Sequence, residues 1–447
     1  MSERLVVIGG DAGGMAAATQ ARRLRPDLEI VALEKGRWTS YSACGIPYVV
    51  GGVIDDLDDL VVRTPAEFAA NYAIDARVGH EVTAIDVDRR ELEVRDTEVG
   101  ATYRLGFDVL HIGTGAVPIR PPLPGIDGGD IHGVQTLEDA AHLLDHARDA
   151  ASVKRVVVVG AGYIGLEMAE AFVMRGCDVT VVEGGPQVMP TLDADMAVLV
   201  TSALRDKGVV VELERRVIGF ERGTVDTDGG PLPADLVVLG IGVAPNTALA
   251  AGAGIDVGVR GAIKVDRRQR TSADGVWAAG DCCESFHLVA DRPVHIALGT
   301  VANKQSRVAG INIGGGYATF PGVVGTAATK ICETEIARTG LTEREAASYG
   351  FLAVAATIES SIRAGYFPDA GWIKVKLVAE QRSGRILGGQ IVGLAGAAKR
   401  IDVVATAVTA QMTVEQVTAL DLAYAPPFGP VWDPVLVAAR KVAQALT

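Results

Sequence analysis

The sequence predicts an α/β fold in which two Rossmann-like dinucleotide-binding domains are combined, one inserted in the other. Two apolar runs, at residues 4–8 and 155–159, each lead into a glycine-rich turn and then into a helical segment. This order forms an anion site, because backbone N–H groups and the helix dipole face a bound phosphate. Residues 234–245 repeat the strand-and-turn pattern of residues 108–118 on the far side of the second unit. The repetition predicts that the second domain interrupts the first.

The composition excludes several classes of protein. The chain has 447 residues, which suggests two or three domains, and its 42 Lys and Arg against 55 Asp and Glu give a net charge of −13. This balance argues against a general nucleic-acid binder, since phosphate contacts need a basic surface, but it leaves room for a local basic pocket. Five cysteines without framework spacing indicate free thiols in a reducing compartment. With no signal-peptide pattern and no apolar run of membrane-spanning length, we expect a cytoplasmic protein that binds no membrane.

The first unit begins with a strand at Arg4–Ile8, followed by Gly-Gly-Asp-Ala-Gly-Gly at residues 9–14 and a helix to about Leu24. The next strand ends at Glu34, whose carboxylate can accept hydrogen bonds from both ribose hydroxyls of an adenosine. The fingerprint is imperfect because Asp11 replaces its middle glycine. An anion near a pyrophosphate is unfavourable, so we expect the Asp11 side chain to turn towards N–H groups of the turn.

The second unit matches the dinucleotide fingerprint in full. The strand at 155–159 is followed by Gly-Ala-Gly-Tyr-Ile-Gly at residues 160–165 and by a helix, and a further strand ends at Glu183. A carboxylate there favours the free 2′-hydroxyl of NAD(H) and repels a 2′-phosphate. No arginine follows Glu183, only Gly184, Gly185 and Pro186. The sequence therefore predicts a preference for NADH over NADPH.

Further segments complete the chain. The strand in residues 108–118 ends in a Thr-Gly-Ala turn at Thr114, and a strand ending at Gly280–Asp281 can place a carboxylate on the ribityl hydroxyls of a flavin. Helical periodicity follows from about Val294 to Ile313. Beyond Gly325 no nucleotide fingerprint recurs. Strands are predicted there at residues 373–378 and 386–392, and a helix at 399–412.

Cys44 is the candidate reactive residue. It lies between small residues and a Gly-x-Pro turn, one strand and one loop after the first glycine cluster, with no second cysteine four or five residues away. A single thiol beside a bound cofactor suits mixed-disulfide or sulfenate chemistry. The alternative is a small buried cysteine in a turn. The adjacent Cys282 and Cys283 are predicted to be ordinary thiols without a disulfide, and no metal site is predicted.

Taken in order along essentially the whole chain, these motifs resemble the pyridine nucleotide–disulfide reductase group of flavoproteins. The chain is most similar to its single-cysteine branch, which includes coenzyme A disulfide reductases, NADH oxidases, NADH peroxidases and NADH-dependent persulfide reductases. The segments that carry the resemblance are Ser42-x-Cys44-Gly45-x-Pro47-Tyr48-x-x-Gly51-Gly52, Thr300-x-Ala302-Asn303-Lys304-Gln305 and Tyr424-Ala425-Pro426-Pro427-Phe428.

The resemblance implies two cofactors and three domains. Residues 1–116 and 243–322 would bind FAD, the inserted residues 117–242 would bind NAD(H), and residues 323–447 would form an α+β dimerisation domain. The residues implied for FAD are Gly9, Gly10, Ala12, Gly13, Gly14, Glu34, Lys35, Val82, Thr114, Gly115, Gly280, Asp281, Ala297 and Leu298. Those implied for NAD are Gly160, Gly162, Tyr163, Ile164, Gly165, Glu183 and Gly242.

The resemblance also implies the chemistry, which is NAD(P)H-dependent reduction of coenzyme A disulfide or a related CoA or persulfide substrate. Coenzyme A is expected in mixed disulfide with Cys44, and a helix N-terminus and the flavin are expected to lower the pKa of that thiol. Tyr366 and Tyr424 match tyrosines that coenzyme A disulfide reductases bring from the partner subunit, which implies a homodimer and proton donors. The residues expected to bind the substrate are Arg22, Arg23, Ser42, Asn303 and Arg307.

Three alternatives remain open. An NADH oxidase that makes peroxide or water is disfavoured by Ala12, which stands where the oxidases and peroxidases carry a histidine. An NADH-dependent reductase of a protein electron carrier would not need Cys44. A thiol-redox sensor that binds coenzyme A would turn over slowly.

Overall fold

In a computed structural model, which describes residues 3–148 and 153–446, the first part of the chain alternates strands and helices. In chain order they are β1 (Arg4–Ile8), α1 (Ala12–Leu24), β2 (Glu29–Glu34), α2 (Ile46–Gly51), α3 (Pro65–Tyr72), β3 (Ile74–Val78), β4 (His80–Asp86), β5 (Glu91–Asp96), β6 (Thr102–Gly106), β7 (Val109–Ile112) and β8 (Ala116–Pro118). Short 3₁₀ turns occupy Ala43–Gly45 and Asp58–Leu60.

The middle of the chain repeats the alternation. It contains β9 (Ile131–His132), α4 (Leu137–Arg148), β10 (Arg155–Val159), α5 (Tyr163–Met174), β11 (Asp178–Val182), α6 (Ala194–Asp206), β12 (Val210–Glu212), β13 (Val217–Glu221), β14 (Thr224–Thr227), β15 (Leu232–Pro233) and β16 (Leu236–Leu239).

The remainder returns to the first domain and then forms the C-terminal one. Its elements are β17 (Val243–Pro245), α7 (Ala248–Gly252), β18 (Val276–Ala278), β19 (Ser285–His287), β20 (Arg292–Val294), α8 (Gly299–Ile313), β21 (Ala327–Ile331), β22 (Thr334–Gly340), α9 (Glu343–Ser348), β23 (Ala353–Ser361), β24 (Trp372–Glu380), β25 (Ile386–Gly393), α10 (Ile401–Thr409), α11 (Val414–Thr418) and α12 (Pro434–Leu446). Two more 3₁₀ turns lie at Val259–Gly261 and Ala398–Arg400.

Two five-stranded parallel sheets dominate the first two-thirds of the molecule. Their strand orders are β18-β7-β1-β2-β3 and β12-β11-β10-β16-β9. The apolar runs of β1 and β10 are buried, as expected for parallel strands that are covered on both faces. The prediction of an α/β fold with two Rossmann-like units is confirmed.

The second parallel sheet is reached and left through one short ribbon. Its strands run from β9 to β16, and the flanking β8 and β17 pair antiparallel with each other, with Val117 opposite Ala244. The chain therefore enters and leaves this unit at one place, as an inserted domain requires. The boundaries at residues 116, 242 and 322 stay predictions.

The C-terminal part contains a five-stranded antiparallel sheet of order β21-β22-β25-β24-β23. Strand β25 is buried along its whole length, and α10 and α12 share its hydrophobic core. The α+β character predicted for this part is confirmed.

Two predicted helix bounds were wrong. The helix expected from about Val294 begins at Gly299, because Arg292–Val294 pairs antiparallel with β19 and Leu298 is still extended. The helix expected to reach Met412 ends at Thr409, and Gln411 has a left-handed backbone with φ 56°. No helix in the described ranges is long and apolar enough to cross a membrane.

A buried lysine joins the inserted domain to the C-terminal domain. The Lys376 side chain, on β24, is only 5% exposed. Its Nζ lies 2.7 Å from Asp195 and 3.3 Å from Asp193, at the start of α6, and it also pairs with Glu343 on α9. Gln390 on β25 donates a second hydrogen bond to Asp193, of 2.6 Å. One cation therefore neutralises carboxylates from two domains.

We expect Lys376→Met to lower the free energy of unfolding by on the order of 3 kcal/mol, because it leaves three carboxylates close together without their cation. Chemical denaturation with far-UV circular dichroism measures the change. Lys374→Met is the matched control. Lys374 is on the same strand, and its ion pair among the described residues is with Glu359, which is 67% exposed. The loss of this exposed pair should cost less than about 1 kcal/mol. Equal destabilisation by the two substitutions would contradict the role given to Lys376.

Candidate active site

The first glycine turn brings α1 against the end of β1. Gly9 has φ +107°, which favours glycine, and a Cβ built on it would overlap the carbonyl group of Gly113. A Cβ on Gly14 would overlap the carbonyl oxygen of Gly9. Because the helix starts this close to the strand, its first N–H groups, which have no acceptor within the helix, open towards the end of the sheet.

Glu34 and Glu183 occupy equivalent positions in the two parallel sheets. Glu34 accepts hydrogen bonds from the backbone N–H groups of Gly10 and Gly36, both 2.7 Å long. Glu183 accepts from Ala161, at 2.9 Å, and from Gly185, at 2.7 Å. Each carboxylate is thereby fixed beside its glycine turn with lone pairs to spare. This is the arrangement that ribose hydroxyls require, and it supports the roles predicted for both residues.

The remaining predicted nucleotide residues lie around the two turns. Gly160 has φ +98°, and a Cβ on Gly165 would overlap the carbonyl oxygen of Gly160. Gly162 is the N-cap of α5, whose first turn contains Tyr163 and Ile164. Gly115 and Gly242 have positive φ, of 67° and 97°. Lys35 follows β2, Val82 is on β4, and Ala297 and Leu298 directly precede α8.

Asp281 holds a polar atom without a protein partner. Its Oδ1 is buried and accepts no hydrogen bond from any described residue. Burial raises the pKa of this carboxyl group, partly offset by the nearby His295. The backbone N–H of the preceding Gly280 donates to Gln305, at 3.0 Å, which fixes the turn. Since an unsatisfied buried acceptor is costly, the site fits a ligand that donates a hydroxyl, as the ribityl chain of FAD does.

Thr114, also predicted to contact FAD, has its hydroxyl engaged. It donates a 2.6 Å hydrogen bond to the carbonyl of Asn246, whose amide returns a 3.3 Å bond to the carbonyl of Thr114. The pair ties the β7 end of the first domain to the segment that leaves the inserted domain. Thr114 Oγ1 keeps acceptor capacity for a ligand.

Cys44 is an exposed free thiol in the 3₁₀ turn before α2. The segment leading to it is fixed to the first glycine turn by two hydrogen bonds, from Ser40 N to Gly10 O, at 2.8 Å, and from Tyr41 N to Asp11 Oδ1, at 3.0 Å. Asp11 thus turns towards a backbone N–H, as expected, but mainly that of the cysteine segment. The carboxylate that breaks the glycine fingerprint therefore positions the thiol.

The pKa of Cys44 is shifted in the direction opposite to the prediction. Although solvent reaches this residue, partial burial of the thiol raises its pKa. The carboxylates of Glu167, Asp281 and Asp11 raise the pKa further. A helix N-terminus and the flavin were expected to lower the pKa; α2 begins two residues after Cys44 but has only six residues, and burial and the carboxylates outweigh it. The protein's own groups therefore favour the neutral thiol.

Glu167 is a site residue that sequence reasoning missed. It lies on α5 of the inserted domain, and burial raises the pKa of its carboxyl group, which accepts a hydrogen bond from Thr329 at the start of the C-terminal domain. Its charge raises the pKa of Cys44, so the inserted domain contributes to the surroundings of the thiol. The sequence signal for it was a pair of carboxylates, Glu167 and Glu170, at i and i+3 on an otherwise apolar helix.

Tyr366 and Tyr424 contact each other. Their hydrogen bond raises the pKa of Tyr424, and the two side chains are 78% and 46% exposed. No hydrogen bond joins either tyrosine to Cys44 within the described part of this chain. Phe428, Val431 and Trp432 are exposed beside them in sequence, at 77%, 69% and 51%. This end of the C-terminal domain therefore presents a surface rich in apolar and aromatic groups.

The predicted substrate-binding residues differ in how free they are. Arg22 donates to the carbonyls of Tyr72, Pro26 and Ala73, at 2.8, 2.7 and 2.9 Å, and so closes the C-terminus of α3. Arg23, Ser42, Asn303 and Arg307 are exposed, and the Asn303 amide donates to Gly299, at 2.9 Å. Arg307 therefore keeps its donors available for an anion, whereas those of Arg22 serve the fold.

The other thiols have no redox arrangement. Cys282 and Cys283 are buried and free in the structure, with 3.7 Å between their sulfur atoms. Across residues 3–148 and 153–446, no cluster of His, Cys, Asp and Glu could hold a metal ion.

Asp11→Asn should stabilise the protein at neutral pH. Burial raises the pKa of Asp11 from 3.8 to about 6, so the native state binds a proton more tightly than the unfolded chain. Stability from this group is present below pH 4 and is lost as the pH rises to about 6, a loss of up to roughly 3 kcal/mol. The uncharged amide avoids this loss and still accepts from Tyr41.

Denaturation at pH 5 and pH 8 tests this expectation. The variant should gain more stability over the wild type at pH 8 than at pH 5. Asp55→Asn, at an exposed position, is the control and should show no such difference. A destabilised Asp11→Asn protein at pH 8 would rule out the assignment.

Comparisons with known proteins place the chain in a family. The family model for pyridine nucleotide-disulphide oxidoreductases matches residues 3–306, and the model for the family's dimerisation domain matches residues 326–434.

A relative from Pyrococcus horikoshii, named NAD(P)H coenzyme A polysulfide/persulfide reductase, is 38% identical over 448 residues, covering 98% of each chain. One from Methanocaldococcus jannaschii, named NADH oxidase, is 36% identical over 450 residues, covering 99% of each. The solved structure of a NAD-dependent persulfide reductase from A. fulgidus is 39% identical with a TM-score of 0.96, covering 99% of this chain and 83% of that one. The resemblance drawn from the motifs is confirmed, and the chain belongs to the pyridine nucleotide-disulphide oxidoreductase family.

Proposed function

We propose that this protein is an FAD-dependent NAD(P)H:disulfide oxidoreductase that reduces a disulfide or persulfide of coenzyme A through Cys44. The observation that carries the proposal is the position of Cys44, a lone exposed thiol tied through Asp11 and Tyr41 to a nucleotide-binding turn. The name of the Pyrococcus horikoshii relative supports the substrate class.

The cofactor sites follow from the two glycine turns. FAD, when bound, supplies a group that accepts a hydride from the nicotinamide and passes on two electrons. In this chain Glu34 and the N-terminus of α1 would hold its adenosine and pyrophosphate, and Asp281 its ribityl hydroxyls. Glu183 and the N-terminus of α5 would hold the dinucleotide in the same way.

Cys44 carries the thiol chemistry. Its thiolate attacks one sulfur of RS–SR, which forms the Cys44–S–SR mixed disulfide and releases one thiolate, RS⁻. Two electrons originating from NADH then break the new S–S bond, which releases the second RS⁻ and regenerates the Cys44 thiolate. With two protons taken up by the leaving thiolates, one from NADH oxidation and one from solvent, the balance is NADH + H⁺ + RSSR → NAD⁺ + 2 RSH.

Groups around the thiol handle protons and substrate. Tyr366 and Tyr424 would protonate the leaving thiolate, since a phenol carries its proton near neutral pH. Arg307 and Asn303, on the exposed side of α8, and Ser42 are the best candidates for the phosphates and amides of coenzyme A.

NADH oxidation by oxygen is the second candidate, favoured by the name of the Methanocaldococcus jannaschii relative. An oxidase that reduces peroxide at a cysteine thiolate, which becomes a sulfenate, needs a proton donor beside the sulfur. Ala12 offers no such group at the position where the oxidases and peroxidases carry histidine, so disulfide reduction is the better supported activity.

Cys44→Ser should lose disulfide reduction by several orders of magnitude, because a serine hydroxyl is not ionised near neutral pH and cannot form the mixed disulfide. FAD content and the rate at which NADH bleaches the flavin absorbance should stay near wild type, since those sites lie elsewhere. Stopped-flow absorbance and a coenzyme A disulfide assay measure the two steps, and mass spectrometry should find an adduct on wild-type Cys44. Cys177→Ser, at a half-buried thiol, is the control. Near wild-type disulfide reduction by Cys44→Ser would overturn the proposal.

The tyrosines should act from a second subunit, because the exposed surface around Tyr366, Tyr424 and Phe428 is suited to a homodimer interface. Sedimentation should show a dimer at micromolar concentration. Replacing both tyrosines by phenylalanine should lower disulfide reduction by about 10²-fold or more, with flavin reduction unchanged.

Mixed dimers decide where the tyrosines act. A Cys44→Ser subunit paired with a Tyr366→Phe, Tyr424→Phe subunit contains one intact site only if the tyrosines of one subunit serve the cysteine of the other. Activity should therefore return on subunit exchange. No recovery in dimers of confirmed mixed composition would show that the tyrosines act within their own subunit.

A further inference from the structure

The loop after β12 follows the turn that holds the adenosine ribose. Beyond the last paired residues of β11 and β12, the N–H of Arg215 donates to the carbonyl of Glu183, at 3.0 Å. The N–H of Glu214 donates to the carbonyl of Gly185, at 2.9 Å. Two segments that are about 30 residues apart in sequence are therefore fixed side by side at the ribose-binding carboxylate.

Arg216 fills the space beside Gly184. A Cβ built on Gly184 would lie 3.8 Å from Cγ of Arg216, and no other atom from elsewhere in the described chain comes within 4 Å of it. The side chain of Arg216 thus lies within van der Waals distance of the point where a side chain directly after Glu183 would begin. An arginine near this point of the fold accommodates the 2′-phosphate of NADP(H). Glu183 is followed in sequence by two glycines and no arginine. In the fold, an arginine from the loop between β12 and β13 lies beside this turn.

Arg215 and Arg216 are adjacent but differ in availability. The Arg215 guanidinium donates to Thr227, at 2.7 Å, and to the carbonyls of Gly229 and Gly230, at 3.1 and 3.0 Å, and pairs with Glu212. Arg216 is exposed, and within residues 3–148 and 153–446 its guanidinium forms no hydrogen bond or ion pair. Its backbone pairs with Asp228: the N–H donates to the Asp228 carboxylate at 2.9 Å, and the carbonyl accepts from the Asp228 N–H at 3.0 Å. Arg216 is the free cation at this turn.

We propose that Arg216 binds the 2′-phosphate of NADPH, so that the protein accepts NADPH as well as NADH. Glu183 opposes the phosphate by its charge, and Arg216 offsets part of that repulsion from the other side of the Gly184–Gly185 turn. Glu214 and Asp228 are the other carboxylates on this loop and its neighbour, and their charges keep the offset incomplete. NADH therefore remains the better substrate. The inference rests on the proposed function only in taking the second glycine turn as the dinucleotide site.

Direct binding to the FAD-loaded protein tests the proposal without the disulfide reaction. Isothermal titration with NAD⁺ and NADP⁺ should give measurable affinity for both, with NAD⁺ tighter. Arg216→Ala should weaken NADP⁺ binding by roughly 10-fold or more, because a charge-assisted hydrogen bond is lost, and should change NAD⁺ binding less than about 2-fold. Arg216→Lys should retain part of the NADP⁺ affinity as a point charge. Glu183→Gln should tighten NADP⁺ binding.

Arg222→Ala is the matched control. Arg222 is an exposed arginine at the opposite end of β13, about 20 Å away along an extended strand, and its loss should leave both affinities unchanged. Equal weakening of NAD⁺ and NADP⁺ by Arg216→Ala would reduce Arg216 to a structural role and overturn the proposal. So would NADP⁺ binding that is undetectable in the wild type or unaffected by the substitution. If the expected NAD⁺ and NADP⁺ affinities are found but the wild-type protein does not reduce disulfides, only the proposed function is refuted.

Discussion

The close approach of a helix to the end of a strand is the constraint on which both nucleotide sites depend. In each parallel sheet the last glycine of the turn lies so near the carbonyl of the first that no Cβ fits, as at Gly14 over Gly9 and Gly165 over Gly160. This contact aims the free N–H groups of α1 and α5 at the carboxyl edge of the sheet. It also sets the distance at which Glu34 and Glu183 can bond to the backbone of the turn. A side chain at either glycine would move the helix, its N–H groups and the carboxylate together.

The two glycine turns differ at the N-cap of the helix that follows, and this difference bears on the position of the thiol. The N-cap of α5 is Gly162, which has no side chain, whereas the N-cap of α1 is Asp11. The Asp11 carboxylate accepts from Tyr41 and so fastens the segment that carries Cys44 to the first turn. Gly162, at the N-cap of α5, has no side chain with which to make such an attachment. A departure from the glycine fingerprint thus separates the domain that holds the reactive residue from the domain that does not.

The sequence predicted what is encoded locally and missed what the tertiary fold brings together. The strands, the two turns and the terminal carboxylates follow from apolar runs, glycines and their spacing, and the structure places them as expected. Glu167 raises the pKa of Cys44 by its charge, and Arg216 lies beside Gly184. Both effects depend on the packing of elements that are distant in sequence. Arg22 was predicted to face a substrate, but its donors close α3, about 50 residues further along. The start of α8 was misplaced because pairing with β19 overrides helical periodicity.

The raised pKa of Cys44 bears on when its nucleophile forms. Burial and the carboxylates of Glu167, Asp281 and Asp11 raise the pKa of this thiol, so the protein's own groups oppose its ionisation. Reduction of the mixed disulfide, in contrast, leaves a thiolate on Cys44 directly, without removing a proton from the thiol. A sulfur with a raised pKa is also the more nucleophilic once ionised. In the proposed reaction the carboxylates therefore tie reactivity to turnover, because the thiolate forms when two electrons reach the mixed disulfide, whereas the raised pKa opposes ionisation of the free thiol.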